Sequence, residues 1–262
     1  MRMRSHSRLP LLILALALAV VFYRLLLGEV LFWGLPSLQF YPWREYAFEQ
    51  VRAGLLPLWN PFNGAGAPLF ANYQSSLLYP LSWIGFVLPL AQTMSVVAVL
   101  HLFIAGWGMW RFTGDLGYSS VGRGASALAF GMTAYLMARV GTYPVVQAAA
   151  WLPWMLWATR RLLAVGRPRS AGLLSVFTGL MLLAGHAQTA WYSLLLVGLF
   201  ALWWAVFQGK RTGLPCGAKS FGWRSSSGAS RSARASPRCN WRRRSSCFSS
   251  RSAPAASIST LP

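Results

Sequence analysis

Acidic residues are almost absent from this chain: 262 residues include four Asp and Glu against 24 Lys and Arg. Charged residues of both signs reach only 11%, less than half the roughly 25% of an ordinary soluble domain, which argues against a water-soluble globule. Cysteines are few, and Cys216, Cys239 and Cys247 all lie beyond residue 210 at spacings that fit neither a zinc site nor a disulfide framework. The three histidines, His6, His101 and His186, form no pair with metal-ligand spacing, so neither a metal nor a cofactor is expected. Gly64-x-Gly66 joins no strand to a helix, which excludes a dinucleotide site and leaves a tight turn between Pro61 and Pro68.

What the chain has in abundance is apolar surface: 55% of its residues are hydrophobic and 15% aromatic. Apolar runs at Leu9–Leu27, Met94–Phe112, Gly124–Ala138, Val145–Leu163, Ala171–Ala184 and Ala190–Phe207 predict an all-α, polytopic membrane protein of about six transmembrane helices in residues 1–209. The first run reads as a retained helix rather than a cleaved signal, because its only small-residue pattern, Ala15 to Ala19, sits inside the apolar stretch. Gly106, Gly108, Gly122, Gly124 and Gly131 are expected to let helices approach closely. Trp151, Trp154 and Trp157 read as an interfacial belt at the start of the fourth helix, and His101 as a bond between helices.

Basic residues fall on alternate loops: Arg2, Arg4 and Arg8, then Arg111 and Arg123, then Arg160, Arg161, Arg167 and Arg169, then Lys210 and Arg211. The intervening loops hold only Arg44, Arg52 and Arg139. Since basic loops are retained on the inner side, the N-terminus is expected in the cytoplasm and the loop 30–79 outside. That loop carries eleven aromatic residues between Leu31 and Ser76, a composition suited to headgroup depth. Within it, Pro42 to Ala53 predicts a helix with proline in its first turn and Gly54 as terminator. Trp43, Tyr46, Ala47 and Val51 then share one face and Glu45, Glu49 and Arg52 another, the pattern of an interfacial amphipathic helix. Leu77–Leu90, bounded by Pro80 and Pro89, reads as a re-entrant or interfacial piece.

From residue 210 the character changes to 14 serines and 11 basic residues with no acid and no periodicity, which predicts disorder. A nucleic-acid-binding arm is the alternative. A shifted reading frame accounts better for so abrupt a loss of acids, and no nucleic-acid partner is expected.

Six motifs in order resemble a known family. Gln39-Phe40-Tyr41-Pro42-Trp43-Arg44, Leu56-Pro57-Leu58-Trp59-Asn60-Pro61, Gly64 to Leu69, Ala71-Asn72-Tyr73-Gln74 with Tyr79-Pro80, Ala150-Trp151-Leu152-Pro153-Trp154 and Leu183 to Gln188 resemble segments of the bacterial YfhO-like membrane proteins. These proteins are similar to the GT-C class, so the resemblance implies transfer of a sugar from a polyprenyl-phosphate carrier at the outer face of a bacterial plasma membrane. It covers about residues 9–209, and because family members are much longer, the chain resembles their N-terminal portion. Many members carry an aspartate just before the Tyr-Pro-Trp-Arg motif, where this chain has Leu35-Pro36-Ser37-Leu38-Gln39.

Such a reaction needs a carboxylate to orient or deprotonate the acceptor and cations to hold the departing phosphate. Glu45, beside Arg44 in the motif, is the first candidate acid and Glu29 the second; Asp115 falls on the inner side. Arg44 and Arg52 are candidate phosphate ligands, with Tyr41, Trp43, Asn60, Asn72, Gln74, His186 and Gln188 as further contacts implied by the resemblance. The competing classes are a non-enzymatic multi-pass protein, transporter-like or scaffold, and a non-functional fragment. The bland readings of the same residues are a solvated helix face for Glu45, lipid-headgroup contacts for Arg44 and Arg52, and snorkelling for Arg24.

Overall fold

The computed structural model describes residues 8–31 and 34–208, all within the first of two units, Met1–Leu214. The basic segment 210–262, with its three cysteines, lies outside the described residues, as do Arg2 and Arg4. The described chain is mostly helical: α1 (Leu9–Val21), α2 (Tyr23–Leu26), α3 (Tyr41–Arg52), α4 (Leu90–Asp115), α5 (Ser120–Gly131), α6 (Ala134–Ala138), α7 (Tyr143–Ala149), α8 (Leu152–Val165), α9 (Pro168–Leu183) and α10 (Ala187–Trp203). A two-residue hairpin pairs β1 (Trp59–Asn60) with β2 (Ala67–Pro68), antiparallel.

The central element is α4, about 39 Å long at 1.5 Å per residue, against which α1, α5, α7 and α8 pack. Small residues set the spacing. A Cβ on Gly106 would meet Leu14 and the Ala127 carbonyl, one on Gly131 the Leu102 carbonyl, and one on Gly108 the ring of Trp154. At Gly106 and Gly131 the helices therefore approach backbone to backbone, as small residues allow, while Gly108 makes room for the indole. One end of the bundle, the loop end, carries residues 34–89 and the turns 139–142 and 184–186. The other, the arginine end, carries Arg8, Arg111, Asp115, Arg123, Arg160, Arg161 and Arg167.

Leu90–Asp115 and Ala187–Phe207 are long and apolar enough to cross a membrane, and only 17% of the latter's apolar window is buried. Three of the other expected spans are not single helices. The first is divided at Phe22 into α1 and α2, the third at Met132 and Thr133 into α5 and α6, and the fourth at Ala150 and Trp151 into α7 and α8. In the fourth, Pro153 has no N–H to continue the ladder back to residue 149, so a new helix begins there. Trp151, Trp154 and Trp157 also depart from the expected interfacial belt. They are 8%, 8% and 5% exposed, with Trp151 stacked on Phe177 of α9 and Trp154 Nε1 donating to the Ile104 carbonyl of α4. Their size, together with the Trp154 bond to α4, makes them the joint between α4, α8 and α9.

Helix α3 forms where Pro42 and Gly54 place it, Gly54 ending it at φ +74°. Its rotation differs from the amphipathic reading. Phe40, Arg44, Ala47 and Phe48 face inward, whereas Val51 is exposed. The cause lies outside the helix: Phe48 packs on Phe86, 4.2 Å between ring centroids, and Arg44 finds a carbonyl in a distant loop. Phe86 ends the 3₁₀ turn Pro80–Phe86, which occupies the stretch expected to be re-entrant or interfacial. At the hairpin, Gly64 and Gly66 adopt φ +62° and +98°, and Gly66 lies under the Trp59 ring where no Cβ would fit.

Candidate functional site

Arg44 is 2% exposed, its Nε donating to the Ser75 carbonyl at 3.3 Å and its guanidinium 5.8 Å from the Tyr143 ring centroid. Burial pushes its pKa down to about 10, partly opposed by Tyr143, so it stays cationic at neutral pH. Its Nη2 is enclosed in protein without a partner. The guanidinium expected at headgroup depth is thus a strut beneath the loop. Next to Ser75, Ser76 Oγ donates to the Ala184 carbonyl at 2.7 Å, and Gly185 passes so close to Tyr73 and Ser76 that a Cβ would collide with both. Gln39 Nε2 donates to Gln74 Oε1 at 3.3 Å. Two distant sequence motifs, Ala71–Gln74 and Leu183–Gln188, therefore meet at the loop end.

Below this junction a network of aromatic and imidazole groups fixes the packing. Trp151 Nε1 can only donate, and it donates to Tyr79 Oη at 3.0 Å. Tyr79 in turn donates to His101 Nε2, while His101 Nδ1 donates to the Val97 carbonyl. The Val97 carbonyl can only accept, so Nδ1 carries a proton. His101 bonds the loop residue Tyr79 rather than a neighbouring helix.

A cavity of about 620 Å³ lies among α4, α5, α6, α8 and α10. Met109, Phe130, Leu136, Leu152 and Leu196 give it apolar walls, and Thr133, Tyr135, Thr189 and Tyr192 give it a polar rim. Tyr135 and Tyr192 are 53% and 59% exposed, so the cavity opens to the surface between the helices. Three loop-end residues touch this rim. His186 Nδ1 lies 2.7 Å from Thr189 Oγ1 and accepts from Thr189 N at 3.1 Å, which caps α10. Gln188 Nε2 donates to Tyr192 Oη at 3.1 Å, and the Arg139 guanidinium stands 5.6 Å from the Tyr135 ring centroid. Burial and the neighbouring Arg139 charge both hold His186 below the usual imidazole range. A long apolar chain fits such walls, and an anionic group fits a rim supplied with a guanidinium and amide donors.

The other expected site residues fall elsewhere. Glu45 is partly buried and accepts a hydrogen bond from Tyr41, whose pKa is raised first by burial and then by Glu45. Glu29 is exposed and lies 3.5 Å from Arg24. Arg52 is exposed, 5.8 Å from the Phe86 ring centroid, and Trp43 packs edge-on against Phe40. Asn60 Oδ1 accepts from Phe62 N and Asn72 Oδ1 from Gln74 N, so both amide oxygens serve turns of their own loop. Among the described residues no three His, Cys, Asp or Glu side chains converge, and none is assigned to a metal.

The sequence alone does not single out Tyr135, Thr189 or Tyr192, and it marks Arg139 only as a charge on an outer loop. Two local signals existed: His186 and Thr189 have the spacing of a helix cap, and Gln188 and Tyr192 that of one helical face. Nothing local ties Arg139 or Tyr135 to α10. In comparisons with known proteins, no family model, curated protein or solved structure matches the chain.

Proposed function

We propose that this chain is a multi-pass bacterial membrane protein that takes a polyprenyl-phosphate-linked sugar at the outer face, the reaction class its loop motifs resemble. One observation supports the reading: Arg139, His186 and Gln188 contact Tyr135, Thr189 and Tyr192, which rim an apolar cavity between the helices. The isoprenoid chain occupies the cavity, and Arg139 with the Gln188 amide holds the phosphate, the role first assigned to Arg44 and Arg52. Glu45 remains the acid that orients the acceptor hydroxyl, as the external carboxylate adjoining the motif. The exposed apolar surface supports the membrane setting. Leu12, Leu16 and Val20 of α1 and Leu195, Leu199 and Leu202 of α10 are each half exposed or nearly so, a perimeter that water does not tolerate over this length. In this reading the chain has six membrane-crossing segments, three of them divided, and its N-terminus is cytoplasmic because the basic loops are retained on the inner side.

The test is transfer of radiolabelled sugar from polyprenyl phosphate by membranes containing the protein, with Ala129→Trp as the variant. Ala129 is an exposed residue on the cavity's rim, so the indole narrows the cavity without disturbing the core. Loss of transfer with unchanged protein level is expected. Transfer unaffected by the indole contradicts the assignment of the cavity.

A further inference from the structure

Among the described residues Asp115 is the only acidic side chain at the arginine end, and two guanidiniums already claim it. Arg161 grips it with Nε to Oδ2 at 2.6 Å and Nη2 to Oδ1 at 3.2 Å, while Arg160 Nη1 stands 3.6 Å from Oδ2. Beside this pair lies a cavity of about 570 Å³ whose charged lining is Arg8, Arg111, Arg123, Arg161 and Asp115. A smaller one of about 340 Å³, lined by Arg160 and Arg167, shares Asp115 and Arg161 with it. The larger cavity therefore holds four guanidiniums against one carboxylate.

The cations are seated on aromatic rings. The Arg123 guanidinium lies 3.7 Å from the Trp110 ring centroid, and its Nε donates to the Trp110 carbonyl at 3.3 Å. Gly114 makes room for it, since a Cβ there would stand 2.9 Å from Arg123 Cζ. Arg111 and Arg161 stand over the Trp157 ring at 5.1 Å and 4.6 Å. An aromatic face orients a guanidinium but offsets its charge far less than a carboxylate does. Retention of basic loops on the inner side requires only positive charge near the bilayer. Tryptophan seats, a glycine notch and a walled cavity go beyond that requirement, and they aim planar donor groups at one space. Phe103 and Trp107 complete the wall, Trp107 being 40% exposed, so the cavity meets the apolar perimeter on one side.

We infer that this cavity binds a phosphate group, gripped by Arg111 and Arg123 with Arg161 held ready by Asp115. Guanidiniums match phosphate oxygens with paired donors, and the entering group offsets part of the net positive charge of the lining. The phosphate belongs to an anionic lipid headgroup or to a free phosphate, two sources with the same chemistry. The site stands at the opposite end of the bundle from the proposed transfer chemistry and does not depend on it.

The experiment measures binding by the shift in thermal unfolding of the full chain in a neutral detergent. The probes are inorganic phosphate and phosphatidylglycerol, with choline chloride at equal ionic strength and phosphatidylcholine as controls. The variants are Arg111→Gln, which removes the charge and leaves a shorter polar amide, and Arg123→Gln. The basic residues 210–262 are common to all three proteins, so a difference between them reports the cavity. Stabilisation by either probe, weakened about tenfold or more in apparent affinity by Arg111→Gln, supports the site, and the effective probe identifies the source. Arg111→Gln is the decisive variant should Arg123→Gln fail to fold. Equal responses of wild type and Arg111→Gln, or no response beyond the controls, overturn the inference.

Discussion

Ser76 Oγ donates to the Ala184 carbonyl at 2.7 Å across 108 positions of sequence, and this bond pins the loop to the α9–α10 turn. Ser76 holds φ +54°, a left-handed conformation that costs a non-glycine residue energy. The contact must therefore outweigh local strain. Ser76→Ala keeps the strain and orphans the carbonyl, so a loss of about 1–2 kcal/mol is expected. Gly185→Ala, at φ +88° and with its Cβ driven into Tyr73, costs more, about 2–3 kcal/mol. Thermal unfolding in detergent ranks the two, and faster proteolysis of residues 54–72 reports the same loosening.

Tyr79→Phe removes one hydroxyl and leaves two groups unpaired, the Trp151 N–H and His101 Nε2. Each buried orphan costs roughly 1–3 kcal/mol, so a loss of about 2–6 kcal/mol is expected although the ring still fills its place. Equal unfolding of Tyr79→Phe and wild type contradicts the network.

Arg44 discriminates a strut from a ligand. Arg44→Lys keeps the charge but cannot reproduce the Nε bond to Ser75 or the planar contact with Tyr143. A destabilisation of about 2 kcal/mol is expected, with residual transfer that follows the folded fraction. A fully stable Arg44→Lys that has lost transfer selectively assigns Arg44 to phosphate after all.

His186 gives a pH dependence with a defined sign. Its Nδ1 accepts the Thr189 N–H, which requires that nitrogen unprotonated, and burial plus Arg139 lower its pKa beneath the ordinary 6.5. Above pH about 6.5 the group is neutral in folded and unfolded chains alike, and its contribution is complete. As pH falls below that value the unfolded chain takes up the proton first, so stability declines until the folded imidazole is also protonated. His186→Asn, which retains a cap acceptor, flattens this portion of the unfolding midpoint against pH.

The sequence was legible where the determinants are local. Pro42 and Gly54 bound α3, the two glycines make the hairpin turn, and Gly106 and Gly131 mark close helix approach. It was illegible where a distant partner decides. An arginine in an amphipathic helix reads as a phosphate ligand or a headgroup contact, and only the Ser75 carbonyl, 31 residues on, turns Arg44 inward. Tryptophans spaced along a helix read as a membrane belt, yet Phe177 and the Ile104 carbonyl draw Trp151 and Trp154 into the core. The breaks within three apolar runs escape a hydropathy reading because they change backbone angles and not polarity, as at Met132 and Phe22. The cavity was hidden for the same reason, since its rim joins α6 to α10 through side chains some fifty residues apart.

The central claim is that a lipid-linked phosphate lies with its chain in the cavity and its head against Arg139, His186 and Gln188. A polyprenyl phosphate carrying a photoactivatable group in its first isoprene unit, irradiated with the full chain and mapped by mass spectrometry, tests this directly. Crosslinks at Thr133, Tyr135 and Tyr192, abolished by Ala129→Trp and weakened by Arg139→Gln, are the predicted result. Crosslinks spread over the exposed faces of α1 and α10, unchanged in both variants, contradict it.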